Sequence, residues 1–504
     1  MQRIPLIAGS GVTVVNAADD AIVLRPPPPS ERPIADVGAA VRDALRFPLA
    51  GPRLEALVPR QGGRATIVVE PPSLPLPSSP HDPRQLAIAA TVDELERAGI
   101  ASGYQTILVA GGFGRRSGRA ELEDLVTPDF ARRFHGLVVV HDVEAEDLVQ
   151  IGQAGQIPLR VNPTLLDADV VVVVTAAETV LHGGPGALLG ACGREAIRAA
   201  TSYSLLETSA SQGWRLAVAL ERALAERVAL VGVSLTLDHP RFGGAVRGYP
   251  YEAAALERIA RSPLRRAFAL TPRPVRNRIL HALPCEIGVT AAFSGPPSVA
   301  HAEALLRAIA ARETLLDEPL DAILIGIPQT TPILPRERPN PLLAATIGLG
   351  LALRLWRERF PLKEDGTAIL LHGFERHFAH PTQQPYRAFF QATRLGRDPE
   401  LLAEHERLAG QDERAIQLYR EGRSCHPLLP FAHWESCQPA LQRLGAVVVA
   451  GCRDATAARQ LGFVPSRSVG AALQMAYGRA GGDARIGFLV APPDFPLALS
   501  APEP

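Results

Sequence analysis

Apolar residues along this chain follow two alternating spacings. Short unbroken runs recur at Ala65–Val69, Thr106–Ala110, Leu137–Val140, Val170–Val174 and Leu230–Leu235. Runs of that length suit strands buried on both faces of a parallel sheet. Between them, apolar residues at helical spacing predict helices over Ile34–Leu45, Arg84–Ala98, Ala120–Val126 and Trp214–Ala229. The opening MQRIPLIAGSGVTVVNA predicts a strand, a turn and a second strand. A basic, proline-broken stretch at Arg261–Arg278 reads as a joint. Beyond it the alternation resumes: helix Ala302–Arg312, strand Ala322–Ile327, helix Leu342–Arg359, strand Thr367–Leu371, helices Glu400–Ala409 and Glu413–Glu421, strand Val447–Ala450, helix Val469–Gly478 and strand Arg485–Val490. The expected fold class is therefore α/β, with mainly parallel sheets in two domains, residues 1–275 and 276–504, flanking a cleft. The last strand is free to return to the first domain.

In such sheets, binding chemistry gathers in the loops past the strand ends. Four candidate loops follow: Glu70–Pro77, Gly111–Arg116, His141-Asp142 and Glu178–Gly186. Gly111, Gly112 and Gly114 offer flexible backbone donors beside the guanidiniums of Arg115 and Arg116, a set that suits phosphate or carboxylate. Glu178, Thr179 and His182 precede Gly183, Gly184 and Gly186, making His182 the strongest candidate for ligand contact and for a metal ligand. His141-Asp142 is a weaker acid–base pair, because adjacent strand residues point oppositely. His372, His377 and His380 follow another strand, and the last two share a face if the segment is helical. Cys425, His426, His433 and Cys437 lack the pair-plus-pair spacing of a zinc knuckle.

Composition narrows the partners. The 52 basic and 52 acidic residues cancel, so net charge gives no reason to expect nucleic acid or an anionic membrane. No apolar run reaches the ~18 residues of a membrane span. Five scattered cysteines fit reduced thiols in a cytoplasmic protein. The expected partner is a small acidic substrate or nucleotide-like ligand. Lys363 is the sole lysine, so lysyl-adduct chemistry has one candidate residue.

Taken in order, several segments resemble the nickel-pincer-nucleotide-dependent lactate racemase family. IADVGAAVRDALRFPLAGPRLEAL and ATIVV are similar to its entry helix and first strand. ILVAGGFGRRSGRAELEDLV, HDVEAEDLVQIG and VNPTLLDADVVVVV follow in the family's order and spacing. LGFVPSRSVGAALQMA and GGDARIGFLVAPPDFP resemble its closing helix and strand. The resemblance implies two α/β domains closing on a nickel-bearing pyridinium nucleotide. That cofactor takes a hydride from the α-carbon of a 2-hydroxy acid and returns it to either face, while two histidines shuttle the hydroxyl proton.

The resemblance carries over unevenly. Where the family has an Asp-x-Thr-Arg-Pro-like motif, this chain reads Pro71-Pro72-Ser73-Leu74-Pro75, keeping Ser73 as a candidate ligand contact. Gly114 stands where a histidine precedes the arginine matched by Arg115. His182, Gly183 and Gly184 match the cofactor loop, yet no lysine lies between His182 and Thr201, and Arg194–Ala200 has no histidine for nickel. Three readings stay open. One is a divergent racemase or epimerase of a 2-hydroxy acid or sugar acid, with the nickel-pincer nucleotide held non-covalently and His182, His377 and His380 as proton-handling residues. Another is a non-catalytic relative that binds a ligand or partner. The third is a different metal-dependent reaction at His372–His380.

Overall fold

A computed structural model describes the whole chain except residues 1, 20, 60–61, 72–81, 117–127, 330–338, 379, 393–398, 491–494 and 501–504. Two six-stranded sheets organise it. The first runs Val289–Gly295, Ala229–Leu237, Val170–Ala176, Ala65–Val69, Gln105–Val109 and Leu137–Val140, parallel except for the Val289–Gly295 edge. The Val170–Ala176 strand is buried at all seven positions, paired to Ala65–Val69 on one side and Ala229–Leu235 on the other. That position explains why its sequence shows no polar alternation.

The second sheet is parallel throughout: Val464–Ser466, Leu444–Ala450, Leu362–Leu371, Leu320–Gly326, Ile486–Leu489 and Ile22–Leu24. Sheet membership therefore crosses residue 275 in both directions. Val289–Gly295 closes the first sheet and Ile22–Leu24 the second, while Ile486–Leu489 pairs within the second sheet. Gln2–Ala8 and Gly11–Ala17 form the expected opening hairpin.

Three sequence expectations need correction. The predicted helix Leu342–Arg359 is a short helix, Pro341–Ala345, followed by a π-turn over Thr346–Leu351 and a 3-10 turn over Ala352–Arg354. Its glycines are the cause. A Cβ at Gly348 would strike Leu370, and one at Gly350 would lie 3.3 Å from the Ser436 Cβ, so the chain has traded helix propensity for close packing. The joint at Arg261–Arg278 is largely helical, over Leu264–Leu270 and Arg273–His281. Finally, Gly373–Phe378 has no regular structure, so His377 and His380 do not share a helical face.

Candidate functional site

Strand order locates the site. In the first sheet Ala65–Val69 leads to neighbours on one side, through Gln105–Val109 and Leu137–Val140. The chain then crosses back to Val170–Ala176 and Ala229–Leu237 on the other side. The order reverses between Ala65–Val69 and Val170–Ala176, and ligands in open α/β sheets sit at the carboxyl ends of such a pair. Glu70 leaves one of these strands and Ala177–Gly184 leaves the other.

The second loop is held from inside. The Thr175 hydroxyl accepts the Gly184 N–H at 2.8 Å, and the Thr179 hydroxyl accepts the N–H groups of Leu181 and His182 at 3.2 and 3.1 Å. His301, on the helix Pro297–Arg312, lies across the glycines and shares a 2.9 Å hydrogen bond between Nε2 and the Thr179 carbonyl. Gly183 and Gly184 have φ of +97° and +52°. A side chain at either would overlap His301. Glycine is required here by conformation and by space at once.

A buried charge network lies beneath. Arg84 donates to Glu178 at 2.9 Å and to Asp82 at 2.6 and 3.0 Å, and Glu70 faces the same guanidinium. The Gly183 N–H points at the Glu70 carboxylate, so the backbone donors of the glycine loop are taken by the protein's own groups. Burial, then the neighbouring Glu178, holds the Glu70 carboxyl well above the usual carboxylate range. A raised carboxyl contributes stability that is complete below its unfolded value and is lost as pH rises through the folded value. Glu70→Gln keeps an acceptor for Gly183. It is expected to flatten the fall in melting temperature above the ordinary glutamate range; an unchanged slope would place the titration elsewhere.

Above the network stands His182. Its ring is accessible, yet Glu178, Arg354, His301 and His433 all lie within electrostatic range. Among the described residues its imidazole has no hydrogen-bond partner. Although the residue reaches solvent, the protein atoms packed around the imidazole lower it from its ordinary value; Glu178 opposes that and Arg354 adds to it, which favours the neutral ring as a proton acceptor. Arg354 is 4% exposed. Its donors reach the carbonyls of Ser202, Tyr203 and Gly350, and no carboxylate among the described residues pairs with it. Desolvation lowers it to about 10, the mark of a buried, uncompensated cation. His433, on the helix Leu429–Leu441, meets the Tyr386 hydroxyl through Nδ1 at 3.1 Å. Burial first, and His182 second, bring it down to about 3.

The other sequence candidates lie elsewhere. Gly111, Gly112, Gly114 and Arg115 belong to a loop docked on the second half of the chain. Phe113 stacks on His426 at 4.7 Å, Gly112 and Phe113 carbonyls accept from Tyr419 and His426, and Arg115 and Arg116 reach the carbonyls of Gly422 and Arg420. His141 is buried against the Cys192 carbonyl and Asn162, and burial brings it down to about 4. Ser73 lies outside the described residues. His380 turns to Thr382, His372 accepts the Phe374 N–H, and Glu375 pairs with Arg453. Cys425, His426 and His433 bond separately to Thr382, Glu144 and Tyr386. No group of three metal-ligating side chains is found among the described residues.

Sequence reading had not singled out Arg84, His301 or Arg354, and weighed His433 only as part of a poorly spaced zinc set. None lies in a strand-end loop. Each arrives from a helix or turn that only the folded chain brings to the switch point.

Comparison with known proteins bears on the family and the fold. Residues 9–213 match the lactate racemase N-terminal domain family. No curated protein matches the chain. Among solved structures, the lactate racemase apoprotein of Thermoanaerobacterium thermosaccharolyticum superimposes with a TM-score of 0.60 at 16% identity, over 98% of this chain and 100% of that one. A structural-genomics protein from Thermotoga maritima gives 0.51 at 12% identity, over 92% and 98%.

Proposed function

We propose that this chain, whose residues 9–213 match the lactate racemase N-terminal domain family and whose fold is similar to that of a lactate racemase apoprotein, binds a small 2-hydroxy acid or sugar acid at the switch point, without a tethered nickel cofactor. The carrying observation is the approach of the His182 imidazole to the buried Arg354 cation, which is held by backbone carbonyls and by no carboxylate among the described residues. A buried charge held only by neutral carbonyls is costly, and an incoming carboxylate would offset that cost. The ligand hydroxyl would donate to His182, with His433 facing it from the second half of the chain.

The residues present do not fit a lysine-tethered, histidine-ligated nickel-pincer nucleotide. Lys363 pairs with Asp321 at 2.8 Å, near the amino end of the Leu362–Leu371 strand. The loop that would receive the tether has no lysine, and the following helix, Arg194–Ala199, has no histidine. The glycine N–H groups are engaged by Glu70 and Thr175. Hydride transfer is therefore no part of the proposed function.

Calorimetric titration with lactate and with longer hydroxy and sugar acids tests the reading. At least one is expected to bind, with affinity falling about tenfold or more in His182→Ala, the worth of one buried hydrogen bond. Arg354→Met is expected to abolish the preference for the acid over its amide. Chiral chromatography should show no interconversion of stereoisomers. Stoichiometric nickel in protein from cells that make the cofactor, together with racemisation, would overturn the proposal.

A further inference from the structure

The neutral chain hides a concentrated patch. Between Arg258 and Cys285 there are seven arginines and no aspartate or glutamate. The first helix of this region, Ala253–Arg261, is ordinary: Ala255, Leu256, Ile259 and Ala260 are buried, and Leu256 and Ile259 pack with Ile4 and Leu6 of the opening hairpin. The next two, Leu264–Leu270 and Arg273–His281, reverse that pattern. Leu264 is 70% exposed and Leu270 86%, and Val275 and Ile279 also stand out in solvent. Exposed aliphatic tips set among arginines on short helices are the pattern of a segment lying in a lipid headgroup layer.

We infer that the helical pair Leu264–Leu270 and Arg273–His281 is a peripheral contact for a bilayer surface rich in acidic phospholipid. Charge complementarity selects this occupant. A second copy of the same helical pair would set five arginines against five. A nucleic-acid backbone would satisfy the guanidiniums but leave Leu264 and Leu270 in water. A bilayer takes both, since phosphate esters meet the arginines while the leucines enter the acyl boundary. No helix among the described residues is long and apolar enough to cross a membrane, and a surface contact needs none. The expectation of no membrane partner rested on net charge, which averages this patch against acidic residues elsewhere. The inference is independent of the ligand proposed above.

Co-sedimentation of the full chain with phosphatidylcholine vesicles, with and without phosphatidylglycerol, is the test. Binding is expected to rise about tenfold with the anionic lipid and to be lost in high salt. Leu264→Ser with Leu270→Ser is expected to weaken it about tenfold at unchanged melting temperature, since both side chains are exposed. Arg278→Glu should weaken it too. Several outcomes would overturn the inference: no binding, equal binding to neutral vesicles, or full binding by the leucine variant. Duplex DNA binding without vesicle binding would do so, as would a dimer that the leucine variant dissolves.

Discussion

Arg84→Met is expected to lower stability by about 3–5 kcal/mol, the range for removing one partner from a buried ionic network. The arginine side chain is 13% exposed, Asp82 is equally shielded, and Glu178 is 4% exposed. Methionine fills comparable volume, so the loss reports charge more than packing. Without the guanidinium, Glu70, Asp82 and Glu178 are left to repel one another in a poorly hydrated space. The Glu70 carboxyl, already raised, then holds its proton more tightly still in the folded state. The linkage sign follows: stability survives at acidic pH and is lost as pH rises through the raised Glu70 value. The deficit against the parent protein should therefore grow from the ordinary carboxylate range toward neutrality. Glu178→Gln in the same background should recover part of it, because one of the mutually repelling carboxylates is gone. Urea unfolding at two pH values measures all three. A variant as stable as the parent at neutral pH would mean that the network is solvated and contributes little.

What the sequence disclosed divides by how local its cause is. The valine run announced a doubly covered strand because burial on both faces leaves its mark in consecutive residues. Glycines 183 and 184 announced a tight loop for the same reason, but the strand order that makes it a switch point appears only in the folded sheet. The network under the loop could not. Arg84 begins a helix after a proline-rich stretch, and Arg354 ends a glycine-broken turn some 150 residues beyond the loop it approaches. Their arrival beside the loop is a product of tertiary approach, which no local period encodes. The glycine-rich loop Gly111–Arg116 shows the converse. Its composition suited an anion cradle, and the same flexible backbone and guanidiniums serve to seat Phe113 against His426 and to bond carbonyls of the facing half. Residue types specify what a loop is able to bond, while the rest of the fold decides what it meets.

Gly184→Ala carries the second large expected effect, again about 3–5 kcal/mol. Two causes add. At φ +52° and ψ −127° an L-residue is strained by about 1–3 kcal/mol. The new methyl would also overlap the Cβ of His301 and stand 2.6 Å from its Cγ and 2.9 Å from the Pro297 carbonyl, overpacking worth a similar amount. Because the overlap begins at the His301 Cβ, His301→Ala should give little relief, which separates a backbone collision from a ring that can swing aside. Gly478→Ala is the matched control. It lies in the helix Val469–Ala480 with nothing within 4 Å of its new methyl, and should be neutral or stabilising by up to about 1 kcal/mol. Thermal and urea unfolding of the three variants distinguish the cases. If Gly184→Ala unfolds like the control, the loop is not held in this conformation. His182, two residues before the strained glycine, would then lack the fixed position on which ligand recognition depends.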